Sequence, residues 1–156
     1  WRNKVKSELN PLGVIVFDPY HKPFVTSEAE DEAARKQFAK LRDEEDYDAL
    51  GKAFKQIRSD DLRQCDISDF AIVQINPTVP TWGSPEELAT FVRMKKPIFV
   101  FVEGGKKKTP FWIFGQIPHK YIYNSLNDVL SVLKKIDSGE VPIDSDRWRL
   151  LKKEYR

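Results

Sequence analysis

The chain has 156 residues, of which 40% are hydrophobic, 12% aromatic and 32% charged. This length suits one domain with a sizeable core, and the aromatic content argues against a disordered chain. The 26 basic and 24 acidic side chains leave a formal charge of only +2. Nucleic-acid-binding proteins usually carry a clearer basic surplus, so composition argues against DNA or RNA as the main partner.

Residue types associated with disulfides, metals and membranes are sparse. The single cysteine, Cys65, has no partner for an internal disulfide and is predicted to be a small buried residue. His21 and His119 are isolated, and Gly104-Gly105 lacks the rest of a nucleotide-binding fingerprint. No apolar run approaches the roughly 20 residues that cross a bilayer. We therefore expect no metal, no cofactor, no membrane partner and a cytoplasmic location.

Three short apolar runs predict buried strands, namely Val14–Phe17, Phe70–Ile75 and Pro97–Val102. They are rich in β-branched and aromatic residues and nearly free of charge. Strands of this composition are typically covered on both faces, as in a parallel sheet. Lys120–Tyr123 is a candidate for a further short strand.

The segments around these strands have the apolar spacing of helices. The predicted helices are Trp1–Leu9, Ala29–Arg42, Ala49–Leu62, Pro85–Met94, Leu126–Ile136 and Ser145–Arg156. Alternation of strand and helix predicts an α/β domain with helices on both faces of the sheet. The lysine run Lys106–Lys108 is interpreted as part of a solvated turn.

In open α/β sheets, ligands bind beyond the carboxyl ends of the strands, and Asn76–Glu87 follows one such end. Within it, Ser84-x-x-Glu87 has the pattern of a capping box, with Pro85 at the first helical position. The same residues would also suit a ligand site. Gly83 permits close backbone approach, the helix start offers amide groups, and Glu87 could point at an anomeric carbon. Local sequence leaves both interpretations open.

Three further residues have two interpretations each. Asp18 follows the first predicted strand, a good ligand position, but Asp-Pro is also ordinary turn chemistry. Trp82 could stack on a base or fill the loop. Asp61, taken alone, resembles a solvated residue at the end of a charged helix.

The order of several motifs resembles that of the nucleoside 2-deoxyribosyltransferase-like family over about the first hundred residues. The matching pieces are Trp1-Arg2, Gly13–Pro19, Asp61-Leu62, Gly83-Ser84-x-x-Glu87-Leu88 and Lys96-Pro97-Ile98. Asp61 and Glu87 are 87 − 61 = 26 positions apart, which aligns both family carboxylates without a gap. This resemblance, unlike the local pattern, favours an enzyme.

The resemblance implies a particular fold and assembly. The fold would be a doubly wound, flavodoxin/Rossmann-like parallel sheet in a single domain over residues 1–156. The family's first strand would lie upstream of Trp1. A homodimer or higher homo-oligomer is expected, with Phe111–Ile117 either a subunit contact or ordinary core.

The resemblance also implies the chemistry. Glu87 would be the nucleophile that attacks C1′ of a deoxyribose, and Asp61 would manage the proton of the departing base. Asp18, Trp82, Gly83, Ser84 and Asn124 would bind the nucleoside or nucleotide substrate. The enzyme would be a glycosyltransferase if a second base accepts the sugar and a hydrolase if water does, with a role in nucleotide metabolism in either case.

Two alternatives remain open. The segment Thr81–Leu88 also looks like the catalytic loop of phosphoribohydrolases of the lysine-decarboxylase-like family, which act on nucleoside monophosphates. In addition, Thr81 stands where the deoxyribosyltransferase family often has aspartate. A module that binds a nucleotide without turning it over is therefore the third hypothesis.

Overall fold

A computed structural model describes residues 1–19, 30–79 and 82–142. The chain divides into two compact units, one formed by Trp1–Val16 with Ser68–Arg156 and the other by Phe17–Ile67. The predicted helix Ser145–Arg156 lies outside the described residues, as do His21 and Thr81.

The described residues contain helices and strands in the alternation that the sequence predicts. The helices are α1 (Arg2–Leu9), α2 (Glu32–Asp43), α3 (Tyr47–Ile67), α4 (Gly83–Met94), α5 (Phe111–Phe114) and α6 (Leu126–Asp137). The strands are β1 (Ala71–Ile75), β2 (Ile98–Val102) and β3 (Ile122–Tyr123). Within the described residues the predicted elements are thus present, with shifted ends, except at Val14–Phe17.

The three strands form one sheet in the order β1-β2-β3, and both pairings are parallel. Ala71 lies opposite Ile98, and Val100 lies opposite Ile122. The prediction of a mixed α/β fold with a parallel sheet is confirmed, although the sheet is small.

The central strand β2 is buried along its whole length. Phe99 and Phe101 lie on one face, where the Trp1 ring meets Phe101 edge-on at a centroid distance of 5.4 Å. Alternate residues of a strand point to opposite faces, so Ile98 and Val100 lie on the other. α4 packs against β1 and β2. Since α1 lies on the Phe101 face, α4 supplies the cover that the Val100 face requires.

A cluster of aliphatic side chains joins α1 to α6. Val5 and Leu9 pack with Leu130, and partly buried residues of the sheet and its flanks surround them. An ion pair of 2.6 Å between Lys134 Nζ and Glu8 Oε2 reinforces this contact at the surface. The hydrogen bond and the charge of Lys134 lower the pKa of Glu8 from its ordinary value.

The second unit contains α2 and α3, joined by a short turn. The side chain of Asp31 caps α2 by accepting a hydrogen bond from the Ala34 amide at 2.9 Å. Phe38 on α2 and Phe54 on α3 meet with a centroid distance of 5.0 Å. The Asp31 cap and this aromatic contact stabilise α2, which has no buried residue.

The prediction of a strand at Val14–Phe17 is wrong for the described residues, in which no strand pairs with this segment. Its side chains still alternate as in a strand that has one covered face. Val14 and Val16 pack against the Leu9 cluster, whereas Ile15 is 80% exposed. Apolar composition predicts burial, but a strand also needs a hydrogen-bonded neighbour.

β1 lies at the edge of the sheet. The Ala71 amide donates to the Pro97 carbonyl at 3.0 Å, and the Ile75 carbonyl accepts from the Glu103 amide at 2.9 Å. Alternate residues along β1 therefore face β2, and the backbone groups of Ile72 and Gln74 face away from it. Within the described ranges no strand pairs with that side. The additional first strand implied by the family resemblance remains a prediction.

The Leu9 cluster yields a test of the fold. Leu9 is 1% exposed, so Leu9→Ala should lower the free energy of unfolding by about 2–5 kcal/mol through lost burial and a residual cavity. Leu12 follows closely in the chain but is 37% exposed. Leu12→Ala should therefore change the free energy of unfolding by less than about 0.5 kcal/mol. Urea denaturation measures both, and equal losses would contradict the core as described.

Candidate active site at the carboxyl edge of the sheet

A tight turn connects the end of β1 to the segment that precedes α4. The Asn76 side chain accepts hydrogen bonds from the Thr78 amide at 3.0 Å and the Thr78 hydroxyl at 2.7 Å. The Val79 amide also donates to the Asn76 carbonyl at 3.2 Å. Such Asx turns are favoured by the side-chain oxygen of Asn. The turn lies directly after β1, and α4 is the next element of the chain.

The start of α4 differs from the predicted capping box. The helix begins at Gly83, with Trp82 at the N-cap and no side-chain capping bond from it. Ser84 consequently lies inside the first turn rather than at the cap, and Pro85 follows it. Pro85 is tolerated in this first turn because the amides there lack intrahelical partners. Glu87 is therefore not the third residue of a capping box.

Glu87 is half-buried in the second turn of α4. The next residue, Leu88, is 2% exposed and faces the core. Since successive helical residues differ by about 100° in direction, Glu87 lies beside the buried face rather than opposite it. This places a carboxylate at the boundary between core and solvent, where a ligand could both reach it and exclude water from it.

The residues just before Glu87 leave open space. Trp82 is 91% exposed, which excludes the interpretation that it fills the loop of the described structure. A Cβ atom added to Gly83 would meet no atom within 4 Å. An exposed aromatic ring beside an uncrowded backbone is available for stacking on a planar ligand. Ser84 is half-buried between these residues and Glu87.

Asn124 has a structural contact that the sequence did not predict. Its Oδ1 accepts a hydrogen bond from the Lys106 amide at 3.0 Å, which fixes the turn after β2. The Lys106 ammonium group also donates to the His119 carbonyl. Any contact of Asn124 with substrate would thus rely on its amide nitrogen or on the second lone pair of Oδ1.

The two aspartates of the predicted site belong to the second unit. Asp18 is 4% exposed, and Asp61, on α3, is half-buried with its Oδ1 shielded from solvent. Asp61 is therefore only partly solvated. The approach of these carboxylates to Glu87 remains a prediction.

The structure adds Asp60 to the candidates. It is only 8% exposed, and its Oδ1 accepts a hydrogen bond from Gln56 Nε2 at 3.0 Å. Helical spacing could have identified it, because Ile57, Asp60 and Gln64 lie at i, i+3 and i+7 and all three are buried. The family resemblance instead implies a role for its neighbour, Asp61.

Other titratable groups have limited roles. Cys65 is buried, as predicted. Burial raises the pKa of Tyr123, whose ring stacks on Phe99 at a centroid distance of 6.5 Å.

Over the described ranges, no group of three or more His, Cys, Asp or Glu side chains could hold a metal ion. In the same part of the chain, none of the helices has the length and apolarity needed to span a membrane.

The aromatic segment after β2 is mostly exposed. Phe111 and Trp112 of α5 are 94% and 80% exposed, and Phe114 is 45% exposed. Ile117 is 2% exposed and belongs to the core. The interpretation of Phe111–Ile117 as ordinary core therefore holds for Ile117 but not for the aromatic rings.

The sequence matches no protein-family model, and no curated protein matches it either.

Proposed function

We propose that this protein cleaves or transfers the N-glycosidic bond of a 2′-deoxynucleoside or deoxynucleotide through a glycosyl ester on Glu87. The observation that carries the proposal is the start of α4. The half-buried carboxylate of Glu87 follows Trp82, which is 91% exposed, and Gly83, which has open space around it. These residues come after a strand that ends at the carboxyl edge of a parallel sheet. Ligands of open α/β sheets bind at this edge, and the family resemblance supplies the reaction.

In the first step, a Glu87 oxygen attacks C1′ of the deoxyribose. The C1′–N bond breaks, its electron pair goes to the base, and Asp61 donates a proton to the base nitrogen. The sugar is then held as an ester of Glu87. The carboxylate stabilises the oxocarbenium-like character of C1′ in the transition state.

In the second step, an acceptor attacks C1′ and releases the Glu87 carboxylate. If water is the acceptor, the Asp61 carboxylate takes its proton and the protein is a hydrolase. If a second base is the acceptor, its nitrogen forms the new bond, its N–H proton passes to the Asp61 carboxylate, and the protein is a glycosyltransferase. The partial burial of Glu87 favours an ester intermediate, since it limits the access of bulk water to that ester.

The remaining residues would bind the substrate. Trp82 stacks on the base, and Gly83 and Ser84 contact the sugar through the backbone and a hydroxyl group. Asp18 accepts a hydrogen bond from a sugar hydroxyl, and Asn124 donates one from its amide nitrogen. No bound cofactor takes part in either step.

A nucleotide-binding module without turnover is the second candidate. The 91% exposure of Trp82 favours it, because a stacking platform serves binding as well as catalysis. Incubation with deoxynucleosides, deoxynucleoside monophosphates and ribonucleoside monophosphates, followed by chromatography for free base, separates the hypotheses. Release from deoxy substrates supports the proposal, and release from ribonucleotides alone supports a phosphoribohydrolase. Binding without release supports the module.

Glu87→Gln tests the nucleophile. Gln keeps the size of the side chain but lacks the anionic oxygen, so base release should fall by about 10³-fold or more. The melting temperature should change little, because the half-buried side chain remains nearly isosteric. Chromatography measures turnover, and calorimetry measures melting.

The adjacent Glu86 provides a matched control. It lies one residue earlier on α4 and is also half-buried. Glu86→Gln removes the same charge, so its turnover should stay within about threefold of the parent, the range of a modest electrostatic change. Normal turnover by Glu87→Gln, or equal losses in both variants, would exclude Glu87 as the nucleophile.

Asp61→Asn tests the proton transfer. An amide cannot carry this proton, so base release should fall by about 10²–10⁴-fold. Asp66→Asn, at an exposed position of α3, is the control and should turn over normally. A larger loss in Asp60→Asn than in Asp61→Asn would transfer the role to the more deeply buried neighbour.

The aromatic rings of α5 support a homo-oligomer as part of this proposal. Phe111 and Trp112 form an exposed apolar surface of the kind that subunit contacts cover. Phe111→Ser/Trp112→Ser should shift the mass measured by light scattering at micromolar concentration toward the monomer, with an unchanged circular dichroism spectrum. A monomeric parent protein would contradict the proposed oligomer.

A further inference from the structure

A segment without acidic residues follows β2. Between Glu103 and Asp128 the chain has no aspartate or glutamate. It has four lysines there, namely Lys106, Lys107, Lys108 and Lys120. Their charge exceeds the formal charge of +2 of the whole chain. The same segment contains α5, whose rings Phe111 and Trp112 are 94% and 80% exposed. Positive charge and exposed aromatic surface are therefore concentrated in one stretch of the chain.

The backbone of this segment is fixed at several points. Gly104 and Gly105 have φ values of 80° and 89°, the left-handed region that glycine adopts without strain. Thr109 is 6% exposed, and its hydroxyl donates to the Lys106 carbonyl at 2.6 Å. At the other end of α5, Ile117 is 2% exposed and belongs to the core. Because α5 lies between two buried residues, the exposure of its rings is a property of the fold.

The lysines lie close to these rings. Lys108 precedes Phe111 by three residues, so their Cα atoms are at most about 11 Å apart. This separation is close to the Debye length of about 10 Å at 0.1 M salt, so a charged surface that touches the rings also attracts the lysines. Lys107 and Lys108 are exposed, and within the described ranges neither forms an ion pair with a carboxylate. Two cations are therefore available beside the rings.

We propose that Lys107, Lys108, Phe111 and Trp112 form a surface that binds the anionic face of a lipid bilayer, a function beyond the proposed chemistry and independent of it. Lysines attract acidic headgroups, and aromatic rings insert at the boundary between headgroups and acyl chains. The contact is peripheral, because α5 has only four residues and a spanning helix needs about 20. The expectation of no membrane partner rests on the absence of a spanning segment, which a surface contact does not need.

Two other occupants fit this surface less well. A second copy would cover the rings, but in a two-fold contact the lysines of one copy would meet those of the other. Single-stranded nucleic acid would pair with the lysines, but successive helical residues point about 100° apart. Phe111 and Trp112 therefore do not form a parallel platform for stacked bases. A lipid surface needs no common ring orientation. Since lipid and a second copy would cover the same rings, the lipid-bound form should be the monomer.

Cosedimentation of the full chain with vesicles tests this proposal. The protein should bind phosphatidylcholine vesicles that contain phosphatidylserine about 25-fold more tightly than vesicles of phosphatidylcholine alone. Two lysines near an anionic surface account for this preference, because each contributes about fivefold. Raising the salt concentration to about 1 M should remove the preference, since the Debye length falls to about 3 Å.

Two double variants separate charge from insertion. Lys107→Ala/Lys108→Ala should lower the affinity for anionic vesicles about 25-fold, to that for phosphatidylcholine. Phe111→Ser/Trp112→Ser should lower it about 100-fold, because two aromatic side chains no longer enter the apolar layer. Since all four residues are exposed, both variants should keep the circular dichroism spectrum of the parent protein.

Matched controls remove similar groups elsewhere. Lys36→Ala/Lys40→Ala deletes two exposed lysines of α2, and Ile15→Ser deletes an apolar side chain that is 80% exposed. Both should bind anionic vesicles as the parent protein does. Absence of binding, equal binding to the two kinds of vesicle, or unchanged binding in either double variant would overturn the proposal. Tighter binding to a single-stranded oligonucleotide than to anionic vesicles would also overturn it and assign the surface to nucleic acid.

Discussion

The structure of the first unit depends on the complete burial of β2. A strand with apolar residues on both faces requires a hydrogen-bonded neighbour on each side and a helix layer above and below. β1 and β3 supply the neighbours, and α1, α4 and α6 supply the layers. The same constraint aligns the carboxyl ends of the strands, because both pairings are parallel. The edge at which chemistry is proposed is therefore a consequence of packing.

The elements at the carboxyl edge of the sheet fix the direction of their polar side chains in different ways. Glu87 lies on a helix, where its direction is set by the buried Leu88 beside it. Lys107 and Lys108 lie on a turn, where direction is set by glycine geometry and by Asn124.

Apolar pattern predicted β1, β2 and the main helices because burial on both faces leaves little freedom of composition. It failed at Val14–Phe17, where burial of alternate side chains does not require a strand partner. It also could not distinguish the exposed rings of Phe111 and Trp112 from the buried Ile117, since all three are apolar. Among site residues, the boundary position of Glu87 follows from helical spacing. The bond from the Lys106 amide to Asn124 joins residues 18 positions apart and has no local signal.

The insertion of Phe17–Ile67 within the chain of the first unit has a consequence for the order of folding. α2 and α3 are close in sequence, so their contact closes only a short loop. By contrast, the Glu8–Lys134 ion pair joins positions 126 residues apart, and most of the chain must be confined before it can form. Folding rates fall as contacts become less local, and the entropy of loop closure is lost before distant contacts compensate for it. The helical pair should therefore form early, whereas α1 should dock on α6 late, as the rate-limiting closure of the sheet's covering layer.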